Sequence, residues 1–499
     1  FAVQKRVKQA TLFACGLGVS EYYLNGRKVS DHILSPALAE YPKRIFYVTH
    51  DVTHQLKRGQ NAIGAILGNG RFYSPRSRIF AGMASYGFPK LLLQLRIEYT
   101  DGTVAHVVSD TSWKLTLNGP IVSNNEYDGE EYDSRKEMPG WSTVGFDDSK
   151  WQVAEPVPPP AGRLCAQMIE PIRVTQTLKA VNVTEPKPGV FVFDLGQNMV
   201  GWCRLKVTGP ASTQITLRHA ETLQPDGMLY LANIRGAKVT DIYTLHGGKK
   251  PEIWEPRFVY HGFRYVEVRG YPGKPPLDAI EGRVVHDDLD SAGDFVTSNP
   301  LLNRIYENTV WGTRGNYRSI PTDCPQRDER QGWLGDRLEV ARGESFIFNT
   351  QTFYEKWLQD IADAQKENGS VPDVAPTFWP VYRDNVTWPS MTVFLPGILR
   401  DQFNDVHIVQ RHYDSAASWV NHMVKNYYSM GIVAKDNYGD WCVPPEDPRL
   451  IHSKDPARQT DKTLIATAYF YHDLRLMEGY AQMLARTNDA VRFGKLADQ

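Results

Sequence analysis

The hydrophobic pattern of this chain changes its period near Asp287, and this change limits the possible folds more than any other feature. Before Asp287, apolar residues come in short alternating runs separated by turn signals, such as TLFACGLGV, KLLLQLRIEY and YVEVRG. After it, apolar residues recur every three or four positions over long segments. A period of two indicates strands, and a period near 3.6 indicates helices. The sequence therefore predicts a β region followed by a helical region.

The β region is long enough for two domains, and a proline-rich stretch suggests where they meet. Asn25-Gly26 lies between two apolar runs and supplies the two positive-φ residues of a type I′ hairpin, which indicates antiparallel pairing. The stretch PVPPPAG at 156–162 cannot continue a central strand. We therefore predict one antiparallel β-sandwich over residues 1–155, a candidate accessory sugar-binding domain, and a second over 156–286.

Four helices are predicted in residues 287–499, beginning near Ser298, Thr350, Val406 and Thr460. The first has Ser298 as its cap, Pro300 at its first position and an apolar stripe of Leu301, Leu302, Ile305 and Tyr306. The loops between the helices are long and rich in Trp, Pro and Asp. This pattern indicates an array of helical hairpins in which the loops carry the functional groups.

The composition excludes several classes of partner. With 41% hydrophobic and 23% charged residues the chain is typical of a folded domain protein. The 56 Lys and Arg residues nearly cancel the 57 Asp and Glu residues, so neither nucleic acid nor an anionic membrane is a favoured partner. No stretch approaches the roughly 20 apolar residues of a membrane span, so membrane insertion is not expected. The five cysteines are widely spaced and predict isolated thiols. A neutral small molecule is the favoured ligand; neither oligomeric state nor compartment is predicted.

The loop after the first predicted helix reads PTDCPQRDERQGWLGDR and concentrates the chemistry of the chain. It places four carboxylates, three arginines and a tryptophan between Asp323 and Arg337. A solvated loop with internal ion pairs would explain the charges, but not Trp333 or the two prolines. Carboxylates and arginines hydrogen-bond sugar hydroxyls, and an aromatic ring stacks on the apolar face of a pyranose. The loop therefore predicts a sugar-binding site.

The same loop contains candidates for an acid catalyst. A glycosidase needs one carboxyl that is still protonated at the working pH, and burial or neighbouring anions favour that form. Asp328, Glu329 and Asp336 are close enough in sequence to repel one another. The loop signal is specific for a carbohydrate-active site but not for one particular sugar.

Two later loops and one β hairpin add weaker signals. VAPTFWPVYRDNVTW and NYGDWCVPPEDP bring further Trp, Tyr, Arg and Asp residues. For any one Trp, packing against the core explains the pattern as well as sugar contact does, but for Trp379, Trp388 and Trp441 together we favour contact. In the hairpin YDGEEYDSR, the charged residues are Glu130, Glu131, Asp133 and Arg135. An exposed charged hairpin is the better interpretation there, with calcium or sugar binding as the alternative.

The run DCPQRDERQGWLGD resembles the signature of bacterial α-L-rhamnosidases of glycoside hydrolase family 78. The resemblance extends over essentially the whole chain. GLGVSEYYLNGRKVSD is similar to the family's amino-terminal β domain, and FVFDLGQNMVGW through WEPRFVYHGFRYVEV is similar to its second β domain. This resemblance implies an (α/α)6 barrel after the β domains. It also implies inverting release of terminal α-L-rhamnose from glycosides, oligosaccharides or polysaccharides, with no required cofactor.

The resemblance also implies roles for individual residues. Glu329 takes the place of the general acid. The residues that take the places of rhamnose-binding residues are Asp323, Arg327, Trp333, Asp336, Trp388 and Trp441. Where the family commonly has Trp-Gly-Asp, this chain has Trp388-Pro389-Ser390, so one acidic contact is expected to be missing.

The general base is not assigned to a residue of this chain. An (α/α)6 barrel has twelve helices, about 350 residues at typical lengths, and residues 288–499 are fewer. We therefore expect a barrel cut short at its carboxyl terminus, with the family's general-base glutamate and a substrate-binding histidine in the absent part.

Two other functions remain open at this point. One is a related helical-barrel hydrolase that acts on another deoxy sugar or an unsaturated uronide. The other is a sugar-binding protein without catalysis, although such a protein has no need of the acid motif.

Overall fold

The structure is a computed structural model that describes residues 1–74, 83–440, 442, 449 and 455–499. The described residues form two compact units. The first is drawn from the ranges 1–80, 85–288 and 297–330, and the second from 81–84, 289–296 and 331–499. The change of hydrophobic period near Asp287 thus falls close to the end of the last strand of the first unit.

The first unit is built mainly of strands. In chain order they are β1 Ala2–Val3, β2 Val7–Leu17, β3 Val19–Leu24, β4 Arg27–Lys28, β5 Arg44–Asp51, β6 Gly59–Gln60, β7 Ile63–Gly68, β8 Lys90–Tyr99, β9 Val104–Val108, β10 Lys114–Leu115, β11 Ile121–Asn125, β12 Gly129–Asp133, β13 Gln152–Val153, β14 Arg163–Ala166, β15 Ile172–Lys179, β16 Asn182–Lys187, β17 Val190–Val207, β18 Gln214–Ala220, β19 Thr240–Thr244, β20 Glu252–Trp254, β21 His261–Arg269 and β22 Ile280–Asp287.

The amino-terminal strands form two facing sheets. A five-stranded sheet has the order β14-β5-β2-β8-β9, and a three-stranded sheet has the order β4-β3-β7. Alternate residues of β2, β8 and β3 are buried together in one core, including Leu12, Leu95 and Leu24. The predicted turn at Asn25 and Gly26 joins β3 to β4, with φ values of 53° and 81°. This part of the prediction is confirmed.

The second β structure is a ten-stranded sheet. Its main path is β11-β12-β19-β18-β21-β17-β22-β15, and β16 and β20 also pair with β17. The long strand β17 changes register between Asp194 and Met199. Its core includes Phe193, Leu205 and Phe263. A register change of this kind bends a strand and redirects the side chains around it.

The two sheets exchange strands across residues 155 and 156, where the sequence places a domain boundary. β11 and β12 precede that point but belong to the larger sheet, and β14 follows it but pairs with β5. The pairs β12 with β19 and β14 with β5 are parallel, whereas the other strand pairs described are antiparallel.

The first helix, α1 Pro300–Gly315, clusters with the β strands rather than with the later helices. Its cap is Asn299, whose side chain accepts the backbone N–H of Leu301; the prediction of Ser298 as the cap is wrong by one residue. Leu301 and Ile305 of the predicted apolar stripe are 65% and 52% exposed. The stripe therefore does not face the core of this unit.

The second unit is mainly helical. Its elements are α2 Leu334–Leu338, α3 Ala341–Glu344, α4 Gln351–Ala364, α5 Met391–Phe403, α6 Val406–Tyr427, β23 Tyr428–Ser429, β24 Ile432–Val433, α7 Lys462–Met483 and α8 Thr487–Asp498. The helices predicted from Thr350, Val406 and Thr460 correspond to α4, α6 and α7. Consecutive long helices pack against each other from α4 to α8, which agrees with a series of helical hairpins. The prediction of β domains followed by a helical region is confirmed.

Among the described residues, no helix combines the length and the apolar content needed to cross a lipid bilayer.

Candidate functional site

The side chain of Arg330 stabilises the turn that follows α1. This side chain is fully buried, and its backbone has a positive φ of 53°. Its guanidinium donates to the backbone carbonyls of Glu126, Tyr260 and Arg327. The hydroxyl of Tyr127 also donates to the carbonyl of Glu329 at 3.0 Å. Segments distant in sequence thus hold the backbone of the turn from residue 327 to residue 330.

The carboxyl of Glu329 is 13% exposed and lies between two guanidinium groups. Its Oε2 accepts Nε of Arg327 at 2.9 Å and Nη2 of Arg235 at 2.9 Å. Arg327 also donates to Asp323 at 3.3 Å, and Arg235 donates to Asp328 at 3.0 Å. The structure thus brings Asp323, Arg327 and Glu329 together, as predicted.

The charges around Glu329 differ from the expectation based on sequence. The sequence suggests neighbouring anions around this carboxyl, whereas the two side chains that bind its Oε2 are cationic. Asp328 is paired with Arg235. Arg235 lies 94 residues away in sequence, so the charge pattern of the loop alone could not predict this arrangement.

Glu221 lies next to this turn on the ten-stranded sheet. Its two carboxyl oxygens accept Nδ2 of Asn198 and Nδ2 of Asn233, each at 3.1 Å. Burial raises the pKa of Glu221, while its bond to Asn198, the charge of Arg327 and its bond to Asn233 act in the opposite direction. A second carboxyl with polar partners therefore lies beside the arginine that holds Glu329.

Among the residues that the structure describes, two groups of side chains have the donor types of a metal site, and both lie in the first unit. His219 and His261 flank the buried Asp241, but their rings stack at 4.2 Å and are nearly parallel. An ion bound by an imidazole lies near the plane of that ring, so stacked rings do not direct two nitrogens to one ion. In the second group, Asp323, Cys324 and Glu329, the guanidinium of Arg327 already bridges the two carboxylates.

The prediction of an exposed charged hairpin is wrong for Glu130 and Asp133, which are both buried. As candidate calcium ligands, these two carboxyls already have donors. Glu130 accepts the backbone N–H groups of Arg257 and Phe258, and Asp133 pairs with Arg135 at 2.7 Å. Calcium binding there, and the absence of a required cofactor, both stay predictions.

In the second unit, an aromatic pair forms the centre of another group of predicted residues. The indole of Trp388 stacks on the ring of Tyr438 at 4.2 Å, with 22° between the planes. The hydroxyl of Tyr438 donates to Asp373 at 2.5 Å and accepts Nη1 of Arg383 at 3.2 Å. Burial raises the pKa of Asp373 to about 6, although the hydrogen bond from Tyr438 opposes this shift.

The other predicted residues of the second unit lie in or near α2. Trp333 precedes this helix, and its indole contacts that of Trp379 edge to face at 6.3 Å. Trp379 is fully buried, so the expectation of sugar contact is wrong for this residue. Asp336 is exposed in the first turn of α2. Trp441 lies outside the described residues.

Three family models together match nearly all of the chain. They are the α-L-rhamnosidase N-terminal domain over residues 5–176, the bacterial α-L-rhamnosidase concanavalin-like domain over 184–286, and the bacterial α-L-rhamnosidase 6 hairpin glycosidase domain over 290–499. An α-L-rhamnosidase of Streptomyces avermitilis is 42% identical over 97% of this chain and 45% of its own length. One from Formosa agariphila is 35% identical over 99% of this chain and 53% of its own length.

Solved structures give the same result. The α-L-rhamnosidase of Dictyoglumus thermophilum is 42% identical, with a TM-score of 0.94 over all of this chain and 54% of its own. The Streptomyces avermitilis enzyme complexed with L-rhamnose is 39% identical, with a TM-score of 0.92 over all of this chain and 47% of its own. This chain belongs to the bacterial α-L-rhamnosidase family. It spans about half the length of the relatives it matches.

Trp388-Pro389-Ser390 lies where the resemblance implies Trp-Gly-Asp, and the structure shows the position of the third residue. Ser390 is fully buried, and its hydroxyl donates to the buried carboxyl of Asp473 at 2.7 Å. Burial raises the pKa of Asp473 well above its ordinary value. In this chain position 390 therefore packs within the second unit and joins α5 to α7.

The sequence analysis did not identify Arg235, which contacts Glu329, or Asp373, which contacts Tyr438. Arg235 precedes a glycine in a polar stretch, NIRGAK, which predicts a turn but no partner. Asp373 precedes the aromatic loop and could have been included with it, because a carboxylate beside Trp and Arg is the same signal that identified Asp323.

Proposed function

We propose that the full-length protein releases terminal α-L-rhamnose from glycosides with inversion of configuration, and that Glu329 is its general acid. Membership of the bacterial α-L-rhamnosidase family supports the reaction, and the L-rhamnose bound to one relative supports the sugar. Its natural substrate would be a rhamnose-containing glycoside, oligosaccharide or polysaccharide.

The observation that carries this proposal is the turn in which Glu329 lies beside Asp323 and Arg327. Oε2 of Glu329 accepts N–H groups from Arg327 and Arg235. A guanidinium group has donors only and cannot accept a proton. As general acid, Glu329 would pass its proton to the glycosidic oxygen as the bond to the leaving group breaks.

The rest of the mechanism follows from inversion. A second carboxylate removes a proton from water on the opposite face of the sugar, and in inverting enzymes the two carboxyls stand roughly 6.5–9.5 Å apart. We assign this base to no residue of the present chain. The proposal assigns rhamnose binding to Asp323, Arg327, Trp333, Asp336, Trp388 and Trp441.

The test is Glu329→Gln in the full-length protein. We expect turnover of an alkyl α-L-rhamnoside to fall by about 100-fold or more, because the amide cannot supply the proton, while calorimetry still detects binding of L-rhamnose. Glu307→Gln is the control, since Glu307 is 57% exposed on α1 and pairs with Arg304. Near-normal turnover by the Glu329→Gln variant would refute the assignment.

Assays of the protein without substitutions distinguish a rhamnosidase from a sugar-binding protein and from a hydrolase of another sugar. Proton NMR during hydrolysis should show β-L-rhamnose as the first product, which is the signature of inversion. Binding of rhamnose without any hydrolysis would indicate a sugar-binding protein, and preference for another aryl glycoside would indicate a different sugar.

A further inference from the structure

A group of polar side chains from β17 and from the connection between β18 and β19 lies close to Glu329. We call it the polar shelf and define it as Asn198, Glu221, Asn233 and Arg235. Asn198 lies where β17 changes register, and Asn233 and Arg235 follow β18 in the chain. Glu221 joins the two asparagines through its two hydrogen bonds. The shelf thus consists of hydrogen-bonding groups from one strand and from the connection between two others.

The backbone of Arg235 is held in an unusual conformation. Its φ is 54° and its ψ is −113°, a region that residues with a side chain rarely occupy. Such conformations persist where the surrounding structure enforces them, and they cluster at functional sites. The conformation places the Arg235 guanidinium on Asp328 and Glu329.

Arg235 also has N–H groups that can donate further hydrogen bonds. It uses Nε for Asp328 and Nη2 for Glu329, and its side chain is 46% exposed. Within the described part of the chain, no hydrogen bond engages its Nη1. A guanidinium carries five N–H groups in a fixed fork, so N–H groups of Arg235 remain for an acceptor arriving from solvent.

The position of these donors relative to Glu329 points to one kind of ligand. An acid catalyst must lie within hydrogen-bond reach of the glycosidic oxygen, and that oxygen is bonded directly to the leaving group. Arg235 is 2.9 Å from the same carboxyl. Atoms of the leaving group therefore come close to Arg235 whenever Glu329 is in position to act.

We propose that the polar shelf binds the leaving group as a sugar ring, and that Arg235 donates hydrogen bonds to its hydroxyls. This inference rests on the proposed function of Glu329. An apolar aglycone would cover Arg235 and Asn233 without offering acceptors or donors, and buried polar groups left unpaired weaken binding. A sugar offers both. The shelf thus makes Arg235 a residue that determines specificity for the leaving group.

The experiment compares two α-L-rhamnosides that differ only in the hydroxyls of the leaving group. One is rhamnose linked to a hexose, and the other is cyclohexyl α-L-rhamnoside. Both release a secondary alcohol from a six-membered ring, so both depend on proton transfer from Glu329. The quantity measured is the ratio of kcat/KM for the hexoside to kcat/KM for the cyclohexyl compound.

We expect the full-length protein to prefer the hexoside, and Arg235→Met to lower the ratio by about tenfold or more, as for loss of hydrogen bonds to a charged donor. Arg235→Lys should give an intermediate ratio, because lysine keeps the charge but not the fork. Arg269→Met is the matched control, since Arg269 is 52% exposed and pairs with Glu267 on the same sheet. Thermal unfolding of each variant checks that it is folded.

Each other outcome has a definite meaning. An equal fall of both kcat/KM values in Arg235→Met would show that Arg235 only positions Glu329, and would overturn the inference. The same conclusion follows if the unchanged protein shows no preference between the two substrates. Hydrolysis of neither substrate by the unchanged protein would overturn the proposed function itself, and this inference with it.

Discussion

At the scale of single residues, Asp373, which accepts a hydrogen bond from Tyr438, makes the stability of the second unit depend on pH. It is fully buried, and burial raises its pKa from an ordinary 3.8 to about 6. The unfolded chain therefore loses this proton at lower pH than the folded protein does. The free energy of unfolding therefore decreases as pH rises from about 4 to 6. Above pH 6, the decrease due to Asp373 is complete. A shift of this size corresponds to about 3 kcal/mol.

The variant Asp373→Asn should remove this pH dependence, because the amide does not ionise. We expect the unfolding midpoint of the variant, relative to the unchanged protein, to rise between pH 4 and pH 7. Thermal unfolding followed by circular dichroism at several pH values measures the difference. Asp414→Asn is the control, since Asp414 is 83% exposed. Parallel pH profiles of Asp373→Asn and the unchanged protein would contradict the prediction.

The residue scale also shows what sequence could and could not predict about the site. Asp323, Arg327 and Glu329 lie in one short stretch of the chain, so their proximity follows from the sequence, and the structure brings them together. Arg235 reaches Glu329 only because the ten-stranded sheet holds it there. Contacts between distant segments depend on tertiary packing, which hydrophobic period and loop composition do not encode.

At the scale of elements, the short helix α2 supports the ring of Trp388. Gly335 lies in this helix, and a Cβ at that position would overlap the indole of Trp388. The ring cannot move aside like the end of a flexible side chain, because it stacks on Tyr438. Glycine at this position thus permits close packing of helix and indole.

Gly335→Ala should therefore displace Trp388 from Tyr438. We expect destabilisation of about 1–3 kcal/mol, the usual effect of overpacking, with a shift of tryptophan fluorescence and weaker binding of L-rhamnose. Gly343→Ala is a matched control in the neighbouring helix α3, where no atom of the described residues, apart from its chain neighbours and the backbone of its own helix, lies within 4 Å of the added methyl group. Equal stability of the two variants would be evidence against the packing described here.

The elements themselves were predictable to different degrees. α6 begins at Val406 as expected because its apolar residues keep helical spacing and Asp405 caps it. α5 was missed because Pro396 lies inside it and apolar residues surround it on most sides, so no amphipathic stripe is visible. The exchange of β11, β12 and β14 between sheets was also missed, since strand pairing over long separations leaves no local pattern.

At the scale of the whole molecule, the β strands of the first unit hold the turn from residue 327 to residue 330, which carries Glu329. The guanidinium of Arg330 donates hydrogen bonds to the backbone carbonyls of Glu126, Tyr260 and Arg327. Glu126 lies between β11 and β12, and Tyr260 precedes β21. Arg71 adds to this support, because its guanidinium pairs with Glu126 and donates to the carbonyl of Arg330 at 2.5 Å. The position of Glu329 therefore depends on strands far from it in sequence.

Arg330→Met should damage stability and catalysis together in the full-length protein. The carbonyls of Glu126, Tyr260 and Arg327 would lose this donor, and each buried group left unsatisfied costs about 1–3 kcal/mol, so we expect a fall of the unfolding midpoint. In the fraction that stays folded, kcat should fall because Glu329 is no longer held in place. Arg135→Met is the control, since Arg135 is 47% exposed and pairs locally with Asp133. An unchanged midpoint and kcat in Arg330→Met would mean that the turn is positioned without the β strands.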